Sequence, residues 1–594
     1  MKELEYPFDS RYIIKKKKSL KRELLSQDTK FTEKKIAVLG GSTTHDICVI
    51  TELFLLNLGI KPVIYECEYA RFWEEIMFDN RELDEFAPDL IIFHTSNRNI
   101  RNYPTVGISE EDMKGLLDAE YQRYADMWDR ASAKYNCPII QNNFEFPSYR
   151  VMGNLDAVNP GGRVRFINEL NARLSAYAAG HKDFYIHDIQ YLSACYGLDS
   201  WSDPLYWHMY KYALSMEAIP TFCYSLSNII KSLYGKNKKA LSIDLDNTLW
   251  GGIVGDDGPE NLEIGPETSM GQVYSEFQEY IKAQKDIGVI LTVNSKNDYD
   301  NAIAGLNHTD GVLKKDDFVL IKANWDPKSK NLVDSANELN LLPESFVFVD
   351  DNPAEREIIK SQVPAVVAPE IGSVEEYIRI LDHGGYFEVT TFSKDDVTRN
   401  DMYRANAMRA QAQARFSDYG EYLKSLEMTG IIDSFEPIFM ERITQLTNKS
   451  NQFNLTTKRY NRNEIETVSQ SDEYIDLYGK LVDKFGDNGV VSVVIGHIIG
   501  DEVHIDLWIM SCRVLKRDME YAMMDSLAGR CLERGISRIV GYYYPTAKNS
   551  MVRDFYEVMG FDKVSEDENG NTVWNYDLSE GYDNKNRYIV IGGI

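Results

Sequence analysis

The chain has 594 residues, of which 43% are hydrophobic, and its formal net charge is −27 at pH 7. This length predicts three or four domains with sizeable cores. Such an acidic chain repels the nucleic-acid backbone, so we expect no nucleic-acid partner. Its seven irregularly spaced cysteines, together with the lack of a signal peptide or a long apolar run, predict a cytoplasmic protein without disulfides or membrane insertion.

The first two predicted segments are an N-terminal extension, residues 1–33, and a unit over residues 34–236. A basic run in the extension, Lys15 to Lys18 with Lys21 and Arg22, favours a solvated helix face over a membrane or partner patch. The unit alternates apolar strands with helical stretches, and the strands are predicted at Lys35–Leu39, Leu90–His94 and Phe184–Asp188. This alternation predicts a parallel, doubly wound α/β sheet.

Polar residues of the first unit resemble the layout of SGNH hydrolases. Ser42 follows two glycines after the first strand, Asn97 follows the second, and Asp203 and His208 lie near the end of the unit. The resemblance implies a Ser42 nucleophile, a His208 base and an Asn97 oxyanion donor. The Asp-to-His spacing is longer than usual and the family's glycine is not evident. We therefore favour the alternative, a non-catalytic sheet domain that keeps this fold.

Residues 237–387 form a second predicted unit, in which polar residues follow the apolar strands. Asp244 and Asp246 follow Ala240–Ile243, Ser295 ends the strand that begins at Gly288, Lys328 lies at a predicted helix start, and Asp350 and Asp351 follow Phe346–Val349. Neighbouring carboxylates raise each other's pKa unless a divalent cation lies between them. The carboxyl ends of strands are also where open α/β sheets bind ligands.

This order of Asp, Ser, Lys and a later Asp pair resembles the haloacid dehalogenase (HAD) phosphotransferase superfamily, which has a Rossmann-like fold. The resemblance implies that Asp244 is the phosphate-accepting nucleophile and Asp246 the general acid/base. Ser295 and Lys328 would hold the transferred phosphoryl group. Mg²⁺ would be the cofactor, bound by Asp244, Asp246, Asp350 and Asp351.

A polar helical linker is predicted over residues 388–430, and a third unit over residues 431–594. In that unit two strands, Val490–Ile498 and Glu502–Met510, precede the turn Ser511–Arg517 and a helix. This pattern resembles α+β acyltransferases of the GNAT type, which implies an acyl-donor phosphate at the helix start, with Arg513, Arg517 and Asn549 as candidate binding residues. Lys516 and Asp518 replace the glycines usual in this turn, and their side chains are expected to crowd the phosphates.

The three units in this order resemble FkbH-like proteins of the HAD-IIIC type, over about residues 35–575. The most specific motifs that carry this resemblance are Leu245–Gly252, Ser295–Asn297, Val349–Pro353, Asn451–Thr457 and Met510–Val514. The resemblance implies removal of phosphate from a phosphorylated three-carbon acid, 1,3-bisphosphoglycerate, and transfer of its glyceryl group to the thiol of an acyl carrier protein. Such proteins serve polyketide or polysaccharide pathways. The alternative is a stand-alone HAD phosphatase whose flanking units are non-catalytic binding modules.

One residue departs from the FkbH-like pattern. Asn294 stands where the family often has a cysteine that is a candidate acyl carrier. Cys512 is the cysteine that lies inside one of the FkbH-like motifs, next to Arg513 and near Arg517. Positively charged neighbours of this kind lower the pKa of a thiol. Two interpretations stay open, in which Cys512 carries the acyl group or is a buried core residue.

Overall fold

The computed structural model describes residues 1–27, 29, 31–413, 415–450, 452–546 and 548–592. The chain divides into two units, Met1–Leu233 and Tyr234–Ile594. In the described part of the chain, no helix is both long and apolar enough to cross a membrane.

The first unit is built on a parallel five-stranded sheet in the order β2-β1-β3-β4-β5. The strands are β1 Thr32–Gly40, β2 Ile60–Glu66, β3 Leu90–His94, β4 Ile139–Asn142 and β5 Phe184–His187. The helices are α1 Ser10–Ser26, α2 His45–Asn57, α3 Glu74–Met77, α4 Arg81–Phe86, α5 Glu110–Tyr135, α6 Arg163–Gly180, α7 Ile189–Tyr196, α8 Leu198–Trp201, α9 Pro204–Tyr210 and α10 Ile219–Leu233. Every residue of β3 is buried, as expected for a central parallel strand covered on both faces.

The second unit begins with a parallel four-stranded sheet in the order β8-β7-β6-β9. Its strands are β6 Ala240–Ile243, β7 Ile290–Ser295, β8 Leu320–Ala323 and β9 Phe346–Val349. The helices around it are α11 Val254–Asp257, α12 Ser269–Asp286, α13 Tyr299–Leu306, α14 Lys328–Glu338, α15 Pro353–Gln362 and α16 Tyr377–His383. Helix α12 buries Phe277 and Ile281, and Asn352 caps α15 ahead of a proline at its first position.

Three further helices, α17 Lys394–Val397, α18 Arg399–Gln413 and α19 Tyr419–Ser425, occupy the predicted linker. Helix α18 packs against the start of β7: the Asn400 side chain donates to the Val289 carbonyl at 2.8 Å and accepts from the Leu291 amide at 3.4 Å. Arg409, from the same helix, pairs with Asp483 at 2.7 Å. The linker is therefore an integral part of the second unit.

The rest of the second unit is a larger, mostly antiparallel sheet in the order β16-β17-β15-β14-β13-β12-β10-β18, with β11 beside β14. The strands are β10 Met428–Asp433, β11 Phe453–Asn454, β12 Tyr474–Asp483, β13 Gly486–Ile499, β14 Glu502–Met510, β15 Arg538–Tyr543, β16 Asp562–Glu566, β17 Thr572–Asp577 and β18 Ile589–Ile591. The helices are α20 Met440–Lys449, α21 Arg462–Gln470, α22 Met519–Glu533 and α23 Phe555–Val558. The predicted combination of parallel α/β sheets and an α+β sheet is confirmed.

Strands β14 and β15 are parallel neighbours only at their beginnings, where Glu502–His504 pairs with Arg538–Val540. Further along, the segment that starts with β11 lies between them. The Leu455 amide donates to the Trp508 carbonyl at 3.2 Å, and the Tyr544 amide donates to the Leu455 carbonyl at 2.9 Å. The diverging strands are therefore bridged by the chain itself.

Candidate active site

The carboxyl edge of the β8-β7-β6-β9 sheet gathers the predicted phosphoryl-transfer residues of the second unit. Asp244 directly follows β6, Ser295 is the last residue of β7, and Asp350 and Asp351 follow β9. Because all four strands are parallel, their carboxyl ends meet at one edge. The Asp244 amide donates to the Val349 carbonyl at 2.9 Å, which ties the first loop to the end of β9.

Three carboxylates at this edge form a group that suits a cation. Asp244, Asp350 and Asp351 each offer an oxygen, and these oxygens lie within 4.8 Å of one another. Burial raises the pKa of Asp350 to about 6, and the charge of Asp244 adds to this effect. Asp244 Oδ1 is buried and has no hydrogen-bond partner among the described residues. Carboxylate oxygens are the ligands that Mg²⁺ prefers, so these three residues fit Mg²⁺.

Lys328 supplies a positive charge inside the same group. Its Nζ lies 3.0 Å from Asp244 Oδ2 and 2.6 Å from Asp350 Oδ2, and the side chain is buried. Burial lowers the pKa of Lys328, but the charges of Asp244 and Asp350 outweigh this and raise it. Lys328 therefore stays protonated at the first position of α14, where the backbone amides also favour an anion.

Asp246 lies close to this group, but its carboxylate is held in a different arrangement. Oδ1 accepts from Trp250 Nε1 at 2.9 Å and from the Val254 amide at 3.1 Å, and Oδ2 accepts from Asn297 Nδ2 at 2.9 Å. The structure therefore does not bring the Asp246 carboxylate into the group of three metal-suited residues. Burial, followed by the charge of Asp244, raises its pKa, as suits a group that donates a proton.

Side chains outside the predicted catalytic and metal-binding set hold this edge together. Asn294 Nδ2 donates to the Lys328 carbonyl at 2.8 Å, and so connects the end of β7 to the start of α14. Thr248 Oγ1 accepts from the Asp351 amide at 3.1 Å. Trp250 and Asn297 lie inside the FkbH-like motifs, and this was the sequence signal that could have identified them.

The candidate acyl-transfer residues lie elsewhere in the second unit. Cys512, just after β14, is half-buried against the core of the β6–β9 sheet: its Sγ lies 3.4 Å from Tyr403 Oη, and its carbonyl accepts from Asn340 Nδ2 at 2.7 Å. Asn340 follows the end of α14, whereas Lys328 starts it. With a rise of about 1.5 Å per residue, the Cys512 region lies roughly 18 Å from the carboxylate group, at the amino ends of the strands.

The other predicted acyl-donor ligands have internal partners. Arg517 is buried and pairs with Asp483 at 3.1 Å. Asn549 is buried, and its Nδ2 donates to the carbonyls of Asn454 and Tyr544, both at 2.9 Å. The structure does not describe the side chain of Arg513. Asn451, in one of the FkbH-like motifs, also lies outside the described residues.

The turn before α22 has the backbone conformation expected where GNAT-type acyltransferases usually carry glycines. Lys516 and Asp518 adopt φ values of +64° and +61°, the left-handed region that glycine favours. Both positions nevertheless carry side chains, and burial raises the pKa of Asp518. A phosphate at this helix start would meet an acidic side chain.

The SGNH-like candidates lie at the carboxyl edge of the first unit's sheet. Ser42 is buried, and its Oγ has no hydrogen-bond partner in the described part of the chain. Asn97 Nδ2 donates to Glu145 Oε1 at 2.8 Å. Asp203 caps α9, on which His208 is exposed, and no hydrogen bond between the described residues joins His208 to Ser42 or Asp203. The structure thus does not assemble a triad from these residues.

Comparisons with known proteins agree with this architecture. Residues 35–231 match the model of the FkbH N-terminal domain. The structure is similar to the N-terminal part of the protein BF1531 from Bacteroides fragilis, which contains a phosphatase domain and was crystallised with Mg. That match has 28% sequence identity and a TM-score of 0.59, and it covers 63% of this chain and 99% of the other. A search of curated proteins gives no match.

Two other solved structures match about a quarter of the chain at low scores. The ribosomal-protein-S18-alanine N-acetyltransferase from Escherichia coli is 14% identical, with a TM-score of 0.21 and coverage of 27% of this chain and 100% of the other. Ard1 from Thermoplasma volcanium is 18% identical, with a TM-score of 0.20 and coverage of 25% and 97%. The predicted resemblance to FkbH-like proteins is confirmed by the N-terminal domain match and by the phosphatase-containing relative.

Proposed function

We propose that this chain is an Mg²⁺-dependent HAD-type phosphatase that acts on a phosphorylated three-carbon acid and passes its acyl group to the thiol of an acyl carrier protein. The observation that carries the phosphatase part is the group formed by the buried Asp244 and Asp350 and the half-buried Asp351, with the buried Lys328 inside it. The relative BF1531 contains a phosphatase domain that was crystallised with Mg, which supports the same metal here.

The phosphoryl transfer uses three side chains with different roles: Asp244, Asp246 and Lys328. Asp244 attacks phosphorus to form an aspartyl phosphate, while Asp246 gives a proton to the leaving oxygen. Asp246 then takes a proton from the water that attacks the aspartyl phosphate. Lys328 neutralises the charge of the phosphoryl oxygens, together with Ser295 at the end of β7. Mg²⁺ held by Asp244, Asp350 and Asp351 would supply a second positive charge that offsets the negative charge of the phosphoryl oxygens.

Asp244→Asn tests the phosphatase assignment. The change removes the nucleophile and nearly preserves the side-chain volume, so we expect a folded protein that no longer releases phosphate from a small phosphate ester. EDTA should abolish the wild-type activity, and Mg²⁺ should restore it. Phosphate release that is unchanged in Asp244→Asn, or undiminished in EDTA, would contradict the proposal.

The acyl-transfer part is tested by intact-mass measurement. Enzyme, Mg²⁺, 1,3-bisphosphoglycerate and the pantetheinylated carrier protein are incubated together, and both protein masses are followed with time. A glyceryl increment on the carrier supports transfer, and a transient increment on the enzyme that disappears in Cys512→Ser assigns the acyl group to that thiol. Carrier loading at the wild-type rate by Cys512→Ser would make this thiol structural.

A stand-alone phosphatase is the second candidate function. It is favoured by the internal partners of Arg517 and Asn549 and by the acidic side chain at the start of α22, none of which suits an acyl-donor phosphate. In that case phosphate is released while no carrier becomes loaded. The flanking domains would then be binding modules.

A further inference from the structure

The sheet of the first unit has a position at its carboxyl edge that open α/β sheets commonly use for ligands. Strand β1 lies between β2 and β3, so the strand order reverses at β1. In sheets with this order, ligands bind in the crevice outside the carboxyl ends of β1 and β3. Here that crevice lies between the segment after β1, residues 41–44, and the segment after β3, residues 95–99.

Hydrogen bonds join these two segments and attach a third segment to them. Asn99 Nδ2 donates to the Gly41 carbonyl at 2.8 Å, and so connects the segment after β3 to the segment after β1. Thr43 Oγ1 donates to the Tyr210 carbonyl at 2.6 Å, and the Thr43 amide donates to the Lys211 carbonyl at 3.0 Å. The end of α9 therefore lies against the same edge of the sheet.

Ser42 lies in the chain between Gly41 and Thr43, and so between these contacts. Its side chain is 2% exposed, and its Oγ has no hydrogen-bond partner in the described part of the chain. A buried hydroxyl group without a partner is unfavourable, because it has lost its hydrogen bonds to water. A ligand that accepts a hydrogen bond from Ser42 would remove this cost.

Two cations at the same edge share one aromatic ring. Arg98 Cζ lies 4.5 Å from the centroid of the Trp207 ring, and Lys211 Nζ lies 5.6 Å from it, so the two charges are at most about 10 Å apart. Neither cation forms an ion pair with a carboxylate among the described residues. The buried Glu145 accepts instead from the Asn97 amide at 3.2 Å and from Asn97 Nδ2 at 2.8 Å. A chain with a net charge of −27 thus keeps two neighbouring cations without an acidic partner.

These contacts leave both cations able to bind an anion. A guanidinium group that lies over an indole ring keeps its N–H groups, which point outward in its own plane, for other partners. A phosphate monoester carries a charge of about −1.5 to −2 at pH 7, which matches two cations better than the single charge of a carboxylate does. Phosphoryl oxygens also accept hydrogen bonds from hydroxyl groups such as that of Ser42.

We propose that Ser42, Arg98 and Lys211 form a binding site for the phosphate monoester of a small molecule. Arg98 is exposed and Lys211 is half-buried, so the ligand reaches the cations from solvent. Trp207 holds the two cations on one side of the crevice, and Ser42 donates a hydrogen bond to a phosphoryl oxygen. The site lies in the first unit and goes beyond the phosphatase proposal, on which it does not depend.

Hydrogen–deuterium exchange, read by mass spectrometry on the full chain with EDTA present, tests the site. Inorganic phosphate should slow amide exchange of the wild type in residues 40–48, 95–100 and 204–212, because it bridges these segments. Arg98→Gln/Lys211→Gln should lose this protection. Ser42→Ala should need about tenfold more phosphate for half of the effect, as expected when one hydrogen bond to a charged group is lost. Wild-type exchange rates in β3 and β4 show that each variant is folded.

Matched variants separate this site from general effects of charge and from the phosphatase site. Arg81→Gln removes an exposed arginine of the same unit that pairs with Glu85, and it should keep the full protection. Arg98→Lys/Lys211→Arg keeps both charges and should keep part of the protection. Asp244→Asn should keep all of it, so failure of the phosphatase proposal leaves this test intact.

Two small ligands distinguish a phosphoryl group from a carboxylate. Glycerol 3-phosphate should protect the same three segments, whereas glycerate should protect them weakly or not at all. Protection by glycerate with none by glycerol 3-phosphate would overturn the phosphoryl assignment. Wild-type exchange that does not respond to phosphate, or an equal response in Arg98→Gln/Lys211→Gln, would overturn the site itself, and an unchanged response in Ser42→Ala would overturn the role of Ser42.

Discussion

Replacing Lys328 with methionine measures how strongly the candidate active site depends on a buried cation. Its Nζ lies 3.0 Å from Asp244 Oδ2 and 2.6 Å from Asp350 Oδ2, and the side chain is 4% exposed. At an effective dielectric constant of about 20, each contact is a gross attraction of about 5–6 kcal/mol. Removing one partner of a buried ion pair has a net cost of about 3–5 kcal/mol, because the remaining charges stay buried.

We therefore expect Lys328→Met to lower the free energy of unfolding by about 3–5 kcal/mol in EDTA. Mg²⁺ returns positive charge to the same carboxylates, so it should stabilise the variant more than the wild type. Phosphate release should fall by about 10²–10³-fold, because a preorganised charge on the phosphoryl group is lost. Urea unfolding followed by tryptophan fluorescence, with and without Mg²⁺, measures the first two effects, and a phosphate-release assay measures the third.

Lys330→Met is the matched control for this experiment. Lys330 lies two residues further along the same helix, is 59% exposed, and pairs with Asp326 at 2.7 Å. An exposed ion pair contributes about 0–1 kcal/mol, so this variant should behave as the wild type. If Lys328→Met keeps both its stability and a turnover within about threefold of wild type, the buried cation has neither role and the reasoning is refuted.

Three other changes test the site and the first unit. With an acyl phosphate, whose carboxylate leaving group needs no proton, Asp246→Asn should trap a phosphoryl group on Asp244, visible as a mass increment, because no base activates water. An unmodified, active variant contradicts this. Asn294→Leu removes the amide that positions Lys328 and should lower kcat about tenfold, whereas unchanged kcat would make the contact incidental. Burial raises the pKa of Glu145 from 4.5 to about 7, so the stability linked to its proton is present below pH 4.5 and is lost as pH rises to 7. Glu145→Gln should therefore stabilise the protein at pH 8 by up to about 3 kcal/mol and have little effect at pH 4.5, and an equal effect at both values would contradict the assignment.

The positions of the strands that end at the Asp244 site were predictable, because each strand is an apolar run that ends where polar residues begin. Strand β6 has the predicted limits, Ala240–Ile243, and Asp244 follows it directly. Lys328 was expected at a helix start and is the first residue of α14. In a parallel sheet such local patterns also predict proximity, because strand ends share one edge.

Contacts between distant parts of the chain were not predictable in the same way. The Asp246 carboxylate is oriented by Asn297, 51 residues away, and Arg517 reaches Asp483, 34 residues away. Segment Phe453–Asn454 is too short to show strand periodicity, yet it pairs with β14. Each of these arrangements depends on which elements the fold brings together, and no local pattern encodes it.

The placement of Cys512 constrains any coupling of phosphate removal to acyl transfer. The carboxylate group lies at the carboxyl ends of the β6–β9 sheet, and Cys512 lies at the amino ends, roughly one length of α14 away. An acyl group that remains bound to a small substrate at Asp244 cannot reach this thiol in one step. If Cys512 carries the acyl group, its thiol must first displace the acyl phosphate of 1,3-bisphosphoglycerate. The remaining phosphate ester must then be hydrolysed at Asp244, after the flexible arm of the carrier protein has moved the acyl group there. Under that order, Asp244→Asn accumulates a carrier with a phosphorylated acyl group, whereas an unphosphorylated acyl group on the carrier would exclude it.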